Sequence, residues 1–257
     1  MGPARSHAGL SAWLHLPRSL PPQAPLVVAL HGCTQNAASY ALGSGWWQIA
    51  EANNFALLLP EQSDRNNPGL CMRWYEPAQT KREYGEVAAI AAMIHEAIAR
   101  HNLNPARIYI TGLSAGGAMT MALLACYPEL FAAAAPLAAV PFAAATDMSS
   151  GFSAMSGRNL PPTAALTEAH RDAGPRSARP LPLSLWHGLA DDRVAPACSH
   201  AIADVWTSLG WPLETHYIPK LGHAQPIGPL GVPSPYFLPG FIDSTQEIAR
   251  FFDLLKE

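Results

Sequence analysis

Apolar positions along the chain follow two alternating patterns. Short, continuously apolar runs such as Leu26 to Leu30 are typical of strands that are buried on both faces of a sheet. Longer segments place apolar residues three to four positions apart, the spacing of a helix with one face on a sheet, and Glu83 to His101 is the clearest example. Because strands and helices alternate, the pattern predicts crossover connections and a mainly parallel sheet.

The same reading predicts the remaining elements. Ser11 to Leu16 alternates polar and apolar residues and is expected to be an edge strand. Further strands are predicted at Phe55 to Leu59, where Pro60 should stop the strand, and at Arg107 to Thr111, Phe131 to Val140, Leu181 to His187 and Leu213 to Ile218. Further helices are predicted at Trp46 to Asn53, Ala115 to Tyr127, Pro196 to Leu209 and Ser244 to Leu255.

One long segment, Pro141 to Pro180, fits neither pattern. It is rich in Pro, Ala, Gly and Ser and has no firm periodicity. Long loops inside a compact domain are uncommon unless they are functional, so we expect an insertion that forms a lid or wall over the active site. A disordered excursion is the alternative.

Composition fits one globular unit. The chain has 257 residues, of which 49% are hydrophobic and 14% charged, which suits a single domain over residues 1–257. A formal net charge of -3 with no basic run argues against nucleic acid or an anionic membrane as the main partner. The sequence shows no signal peptide and no apolar run long enough to span a membrane, although the chain is also compatible with the mature part of an exported protein.

Four cysteines are too few for a disulfide scaffold, and none forms a C-x-x-C pair, so we expect no thiolate metal site. Cys126 falls in a helical pattern and is interpreted as core. Cys33 and Cys71 both fall in predicted loops near the presumed site, where a bridge between them and two free thiols are both compatible with the sequence.

Candidate chemistry begins at Ser114, in Gly112-Leu113-Ser114-Ala115-Gly116 between a predicted strand and a predicted helix. A nucleophile elbow, as in the α/β-hydrolase fold, needs this strand, tight turn and helix, and glycines two before and two after the serine remove steric clashes. The turn projects the serine hydroxyl and directs helix N–H groups at a developing oxyanion. Ser114 is therefore the predicted nucleophile.

A serine hydroxyl needs a base and, behind it, a carboxylate, in the chain order serine, acid, histidine. Of the histidines after Ser114, His223 lies in a glycine-bearing loop after the last predicted strand and is the predicted base, whereas His170, His187, His200 and His216 are interpreted as structural or unsupported. Asp191 is the predicted acid, and the adjacent Asp192 is interpreted as a solvated or capping carboxylate.

The other predicted contacts of the site lie in loops. The backbone N–H groups of Cys33 and Ala115 are the expected oxyanion donors, because the second donor in this fold comes from the loop after a central strand. Gln35, Tyr40 and Trp74 are expected to bind substrate. Trp46 and Trp47 fit core packing at least as well as a substrate wall.

Several segments resemble the polyhydroxybutyrate depolymerase family of esterases. They are Leu30-His31-Gly32-Cys33-Thr34-Gln35, Gly43-Ser44-Gly45-Trp46-Trp47, Gly112 to Met119, Trp186-His187-Gly188 through Asp191 to Val194, and Gly222-His223-Ala224. The resemblance, which extends to feruloyl and acetylxylan esterases, implies an α/β-hydrolase fold, a cofactor-free carboxylic ester hydrolase that is often exported, and a triad of Ser114, Asp191 and His223. Many relatives follow the histidine with Trp-Ser-Gly-Gly, whereas this chain has Ala224-Gln225-Pro226-Ile227, and it shows no separate substrate-binding domain.

The sequence thus predicts acyl transfer through an acyl-enzyme, on short-chain hydroxyalkanoate esters, oligomers or polyester, with no metal or cofactor. A feruloyl, acetylxylan or general aryl esterase is the alternative within the same chemistry. A serine peptidase would use the same triad, but no propeller or cationic anchor for peptide termini is recognisable. A non-catalytic binding protein of this fold would typically lack a triad member, and all three are present.

Overall fold

The computed structural model describes residues 2–3, 8–175 and 179–256. Its strands are β1 (Gly2–Pro3), β2 (Ser11–His15), β3 (Leu26–Leu30), β4 (Ala56–Glu61), β5 (Ile108–Leu113), β6 (Ala133–Leu137), β7 (Leu183–Gly188), β8 (Leu213–Ile218), β9 (Gln225–Pro226) and β10 (Phe237–Leu238). Its α-helices are α1 (Ala37–Ser44), α2 (Trp46–Asn53), α3 (Gly85–His101), α4 (Ala115–Cys126), α5 (Met148–Met155), α6 (Thr163–Ala173), α7 (Ala197–Leu209) and α8 (Ser244–Phe251).

The central sheet has the strand order β1-β2-β4-β3-β5-β6-β7-β8. Strands β4, β3, β5, β6, β7 and β8 run parallel, while β2 pairs antiparallel with β4 and β1 antiparallel with β2. Strands β9 and β10 form a separate small parallel pair. The predicted mainly parallel α/β architecture is confirmed.

Helices cover both faces of the sheet. In β3, Leu26, Val28 and Leu30 pack in one core with residues of α3, α4 and α7, while Val27 and Ala29 pack in a second core with residues of α1, α2 and α8. Successive side chains of a strand point to opposite faces, so a strand between two helical layers must be apolar at every position. This explains why the unbroken run in β3 is fully buried.

Pro60 does not end β4, contrary to the sequence prediction. The strand continues to Glu61, and Pro60 lies opposite Ala12 of β2. The pairing of β4 with β3 ends at Leu58, so Pro60 occupies a part of the strand that has a neighbour on one side only. A missing N–H group is tolerated at such positions.

The segment 141–180 is structured where it is described, so the disordered alternative is wrong for those residues; residues 176–178 lie outside the described part. It contains α5 and α6. Helix α6 packs on α4 and α7 as part of a helical layer and not as a lid, whereas α5 lies against the loop of Trp74 and Tyr75 through Gly151. Within the described ranges, no helix is both long and apolar enough to cross a membrane.

Candidate active site

Ser114 lies in a strained turn between β5 and α4. Its backbone has φ 58° and ψ -117°, a combination that few non-glycine residues adopt. A Cβ atom at Gly116 would lie 2.2 Å from the carbonyl oxygen of Leu30, and one at Gly112 would lie 2.6 Å from the backbone of Gly116. The turn can therefore form only with glycine on both sides of the serine.

Three side chains from three loops meet at this turn. The Ser114 Oγ lies 2.9 Å from His223 Nε2, and His223 Nδ1 lies 2.8 Å from Asp191 Oδ2. Asp191 follows β7 and His223 follows β8, so both loops leave the same edge of the parallel sheet as Ser114. The structure brings together the three residues that the sequence singled out, and it leaves Asp192 exposed.

The carboxylate of Asp191 is enclosed by donors. Its side chain is inaccessible to solvent, and Oδ1 accepts the backbone N–H groups of Arg193 and Val194, each at 2.9 Å. Burial by itself would raise the pKa of Asp191, but hydrogen bonds from His187 and His223 outweigh it and hold the pKa well below its usual range. A charged carboxylate therefore faces His223.

Both expected oxyanion donors border Ser114. Ala115 begins α4, and the loop of Cys33 approaches so closely that a Cβ atom at Gly32 would lie 3.6 Å from Ser114 Cβ. Within the described residues, neither the Cys33 N–H nor the Ala115 N–H donates a hydrogen bond to the protein. A disulfide between Cys33 and Cys71 ties this loop to the segment after β4.

The structure changes the picture of substrate contacts. Tyr40 is completely buried and its hydroxyl donates to Gln225 Oε1 at 3.2 Å, so the expectation that Tyr40 contacts substrate is wrong. Gln35 is only 6% exposed, and its Oε1 accepts the Gly32 N–H, which supports the turn of the loop that contains Cys33. Trp74 is half-buried beside Tyr75 and α5, and its role stays a prediction.

Two residues near the triad were not predicted. Gln225 is fully buried and links Tyr40 to Thr245, which fixes the segment after His223. His187, interpreted from sequence as structural, lies with Nε2 only 3.4 Å from Asp191 Oδ2. The sequence offered one signal for this contact, since His187 and Asp191 are four residues apart and flank the turn at the end of β7.

Among the described residues, no cluster of three or more His, Cys, Asp or Glu side chains is arranged to hold a metal ion.

Comparison with known proteins places the chain among esterases. The family described as "Esterase PHB depolymerase" matches residues 10–215. The chain belongs to this family. The family match covers Ser114 and Asp191 but ends before His223, whose place beside them rests on the geometry above.

Named relatives of this PHB depolymerase-type esterase include a poly(3-hydroxyalkanoate) depolymerase C from Paucimonas lemoignei. That protein is 35% identical over 96% of this chain and 67% of its own length. Feruloyl esterase B from Neurospora crassa is 29% identical over 77% of this chain and 69% of its own length. These relatives are esterases and depolymerases, and the chain is a carboxylic ester hydrolase.

Among solved structures, an acetyl xylan esterase from Aspergillus awamori has a similar fold. It superimposes with a TM-score of 0.79 at 18% identity, covering 96% of this chain and 95% of that one. Esterase PE8 superimposes with a TM-score of 0.62 at 19% identity, covering 96% and 99%. The α/β-hydrolase fold predicted from the nucleophile elbow is thereby confirmed.

Proposed function

We propose that this esterase hydrolyses its substrates through Ser114 as nucleophile, His223 as general base and acid, and Asp191 as the residue that orients His223. The observation that carries the proposal is the unbroken series of hydrogen-bond distances, 2.9 Å from Ser114 to His223 and 2.8 Å from His223 to Asp191. Nucleophile and base within hydrogen-bond reach, with the base oriented by a third group, is the arrangement that activates a serine.

The reaction has two steps. His223 Nε2 takes the proton of Ser114 as Oγ attacks the ester carbonyl carbon, and the N–H groups of Cys33 and Ala115 stabilise the resulting oxyanion. The alcohol then leaves with the proton from His223 while the carbonyl re-forms as an acyl-enzyme. Water next gives a proton to His223, attacks the acyl carbon and releases the carboxylic acid, which restores the Ser114 hydroxyl.

The substrate class we propose is short-chain hydroxyalkanoate esters, including oligomers and polyester. Support comes from the 35% identity to a poly(3-hydroxyalkanoate) depolymerase over 96% of the chain. A feruloyl or acetylxylan substrate is the second candidate, since feruloyl esterase B shares 29% identity over 77% of the chain.

We also propose that the protein works in an oxidising compartment outside the cytoplasm. The disulfide between Cys33 and Cys71 supports this assignment, because disulfides persist in such environments and are rare in reducing ones.

Ser114→Ala tests the chemistry. With para-nitrophenyl butyrate as substrate, kcat should fall by roughly 10³-fold or more, because the nucleophile is lost while binding groups remain. Ser208→Ala is the matched control, because Ser208 is an exposed hydroxyl on α7 that donates to the carbonyl of Asp204, and it should keep full activity. Retained turnover in a folded Ser114→Ala variant would contradict the proposal.

A substrate panel tests the specificity. We expect kcat/KM for a 3-hydroxybutyrate dimer or trimer ester to exceed that for methyl ferulate, and acetylated xylan to release little acetate. Purified enzyme assayed at equal concentration on the three substrates gives the ranking. Preference for methyl ferulate or acetylated xylan would move the assignment to the second candidate without affecting the proposed triad.

A further inference from the structure

His187 lies at the end of β7, behind the carboxylate of Asp191, and its side chain is inaccessible to solvent. Both ring nitrogens have partners. Nδ1 lies 2.5 Å from the Ser199 Oγ, and Nε2 lies 2.9 Å from the carbonyl oxygen of Val194 and 3.4 Å from Asp191 Oδ2. Imidazole is costly to bury, and an aliphatic side chain would fill the space without that cost. The residue therefore calls for an explanation beyond packing.

The partners determine which nitrogen carries the proton. A carbonyl oxygen only accepts, so Nε2 must carry hydrogen to bond Val194. With Nε2 protonated, Nδ1 is the nitrogen left to accept the hydroxyl proton of Ser199, which is itself fully buried. Ser199 thus holds the ring with its Nε2–H directed between the Val194 carbonyl and the Asp191 carboxylate.

The Nε2–H group of His187 binds the turn that holds Asp191. Within the turn, Asp191 Oδ1 accepts the N–H groups of Arg193 and Val194. His187 binds the same turn from the other side through the Val194 carbonyl, and its Nε2 borders the Oδ2 atom that faces His223. Rotation of the carboxylate about its Cβ–Cγ bond would break contacts with all of these donors.

We propose that His187 is a positioning residue for the ester hydrolysis, acting on His223 through Asp191. This inference rests on the proposed triad. By fixing the turn 191–194 and presenting an N–H dipole to Oδ2, His187 holds the carboxylate in the orientation that selects the productive tautomer of His223. It touches neither substrate nor nucleophile.

Three variants separate positioning from packing. His187→Leu fills the space but removes both bonds. His187→Gln keeps an amide N–H for Val194 and an amide oxygen for Ser199. His170→Leu is the matched control, because it removes a buried histidine on α6 whose ring contacts Trp206 and Trp211 and not the triad.

With para-nitrophenyl butyrate at pH 8, His187→Leu should lower kcat by about 10- to 100-fold, because small displacements of catalytic groups have effects of this size. KM should change less than about twofold, since the residue does not contact substrate. His187→Gln should retain most of kcat and His170→Leu all of it. Equal losses in the Leu and Gln variants, or unchanged kcat in the Leu variant, would overturn the proposal.

A double-mutant cycle tests whether the effect passes through Asp191. In an Asp191→Asn background the carboxylate is already gone, so adding His187→Leu should lower kcat by less than about twofold. A loss as large as in the wild-type background would assign His187 a separate structural role. Urea unfolding of each variant shows whether the protein assayed is folded.

Should His187→Leu fail to fold, Ser199→Ala replaces it. This change releases the ring from Nδ1 while keeping the imidazole, and kcat should fall by about threefold, with the same loss of effect in the Asp191→Asn background. Unchanged kcat in Ser199→Ala would then count against the proposal. If the Ser114→Ala variant instead kept the activity of the wild type, the proposed triad itself would be overturned. Failure of the proposed triad and failure of the proposed role of His187 are therefore distinguishable.

Discussion

At the residue scale, the candidate site depends on a few positions where only one residue type fits. Ser114 takes a strained backbone conformation that is held on both sides by glycines, and this requirement is visible in the sequence because glycine marks such turns. The burial of Tyr40 was not visible. It arises from packing on Phe237 and a hydrogen bond to Gln225, both far away along the chain. Local patterns do not report contacts of that range.

Gly116→Ala tests the steric requirement of the turn. The added methyl group would overlap the backbone carbonyl of Leu30, which cannot move without disturbing β3, so we expect a loss of about 3 kcal/mol in the free energy of unfolding, the upper end of the usual cost of overpacking. Esterase activity should fall with it. Gly69→Ala is the control, since its methyl group would make only ordinary contacts. Urea unfolding midpoints provide the measurement, and equal midpoints for the two variants would contradict this steric account.

At the element scale, the sequence predicted the sheet better than the short helices. The runs that became β3 and β8 match the structure residue for residue. Strand β3 is recognisable because it is apolar throughout, whereas β8, at the edge of the sheet, carries polar residues and is recognisable mainly from the turns that bound it. Length alone does not decide, because the eight-residue helix α2 was predicted with its observed bounds. Helix α6, inside the segment without firm periodicity, was missed, and so were α1 and α5. Helices α1 and α5 each begin with a capping box, Asn36 with Ser39 and Asp147 with Ser150, and not with a strong apolar stripe.

The disulfide joins two loops, since it closes a stretch of 38 residues between the loop of Cys33 after β3 and the segment of Cys71 after β4. Chain-entropy arguments give such a loop a stabilisation of about 4 kcal/mol. Replacing both cysteines, Cys33→Ser with Cys71→Ser, should therefore lower the free energy of unfolding by up to about that amount. It should also lower kcat more than it changes KM, because the loop contains Cys33, whose backbone N–H is the proposed oxyanion donor.

Urea unfolding and ester kinetics of the double variant measure these two effects. Replacing the two buried free cysteines, Cys126→Ala with Cys198→Ala, provides a control that removes two sulfur atoms without opening a covalent loop. A double serine variant as stable and as active as the wild type would show that the bridge has neither role.

At the scale of the whole molecule, the helical layer that contains α4, α6 and α7 buries a histidine that does not contact the proposed triad. His170 lies among aromatic rings, and burial lowers its pKa from 6.5 to about 4. Its Nε2 has no hydrogen-bond partner among the described residues. The folded protein therefore keeps this imidazole neutral at pH values where the unfolded chain would protonate it.

This difference makes stability depend on pH. Because the unfolded state binds the proton first, the free energy of unfolding should decrease as pH falls from about 6.5 to about 4, by about 3 kcal/mol in total. His170→Leu removes this contribution, so wild type should lose about 2 kcal/mol more than the variant between pH 7.5 and pH 5. Burial raises the pKa of Glu86, which makes stability depend on pH in the opposite direction. Glu86 is present in both proteins, so its contribution cancels in the comparison. Urea unfolding of both proteins at pH 7.5 and pH 5 measures the difference. Identical losses of stability in wild type and His170→Leu would contradict a buried, neutral His170.

The separation of the three site residues along the chain has a consequence for folding kinetics. Ser114 and His223 are 109 residues apart, and their loops leave β5 and β8, which are separated by two other strands in the sheet. Local segments cannot assemble the site, so catalytic competence requires long-range pairing of the last parallel strand with β7. During refolding, the return of ester hydrolysis should lag behind the return of helical signal and report the moment at which β8 joins the sheet.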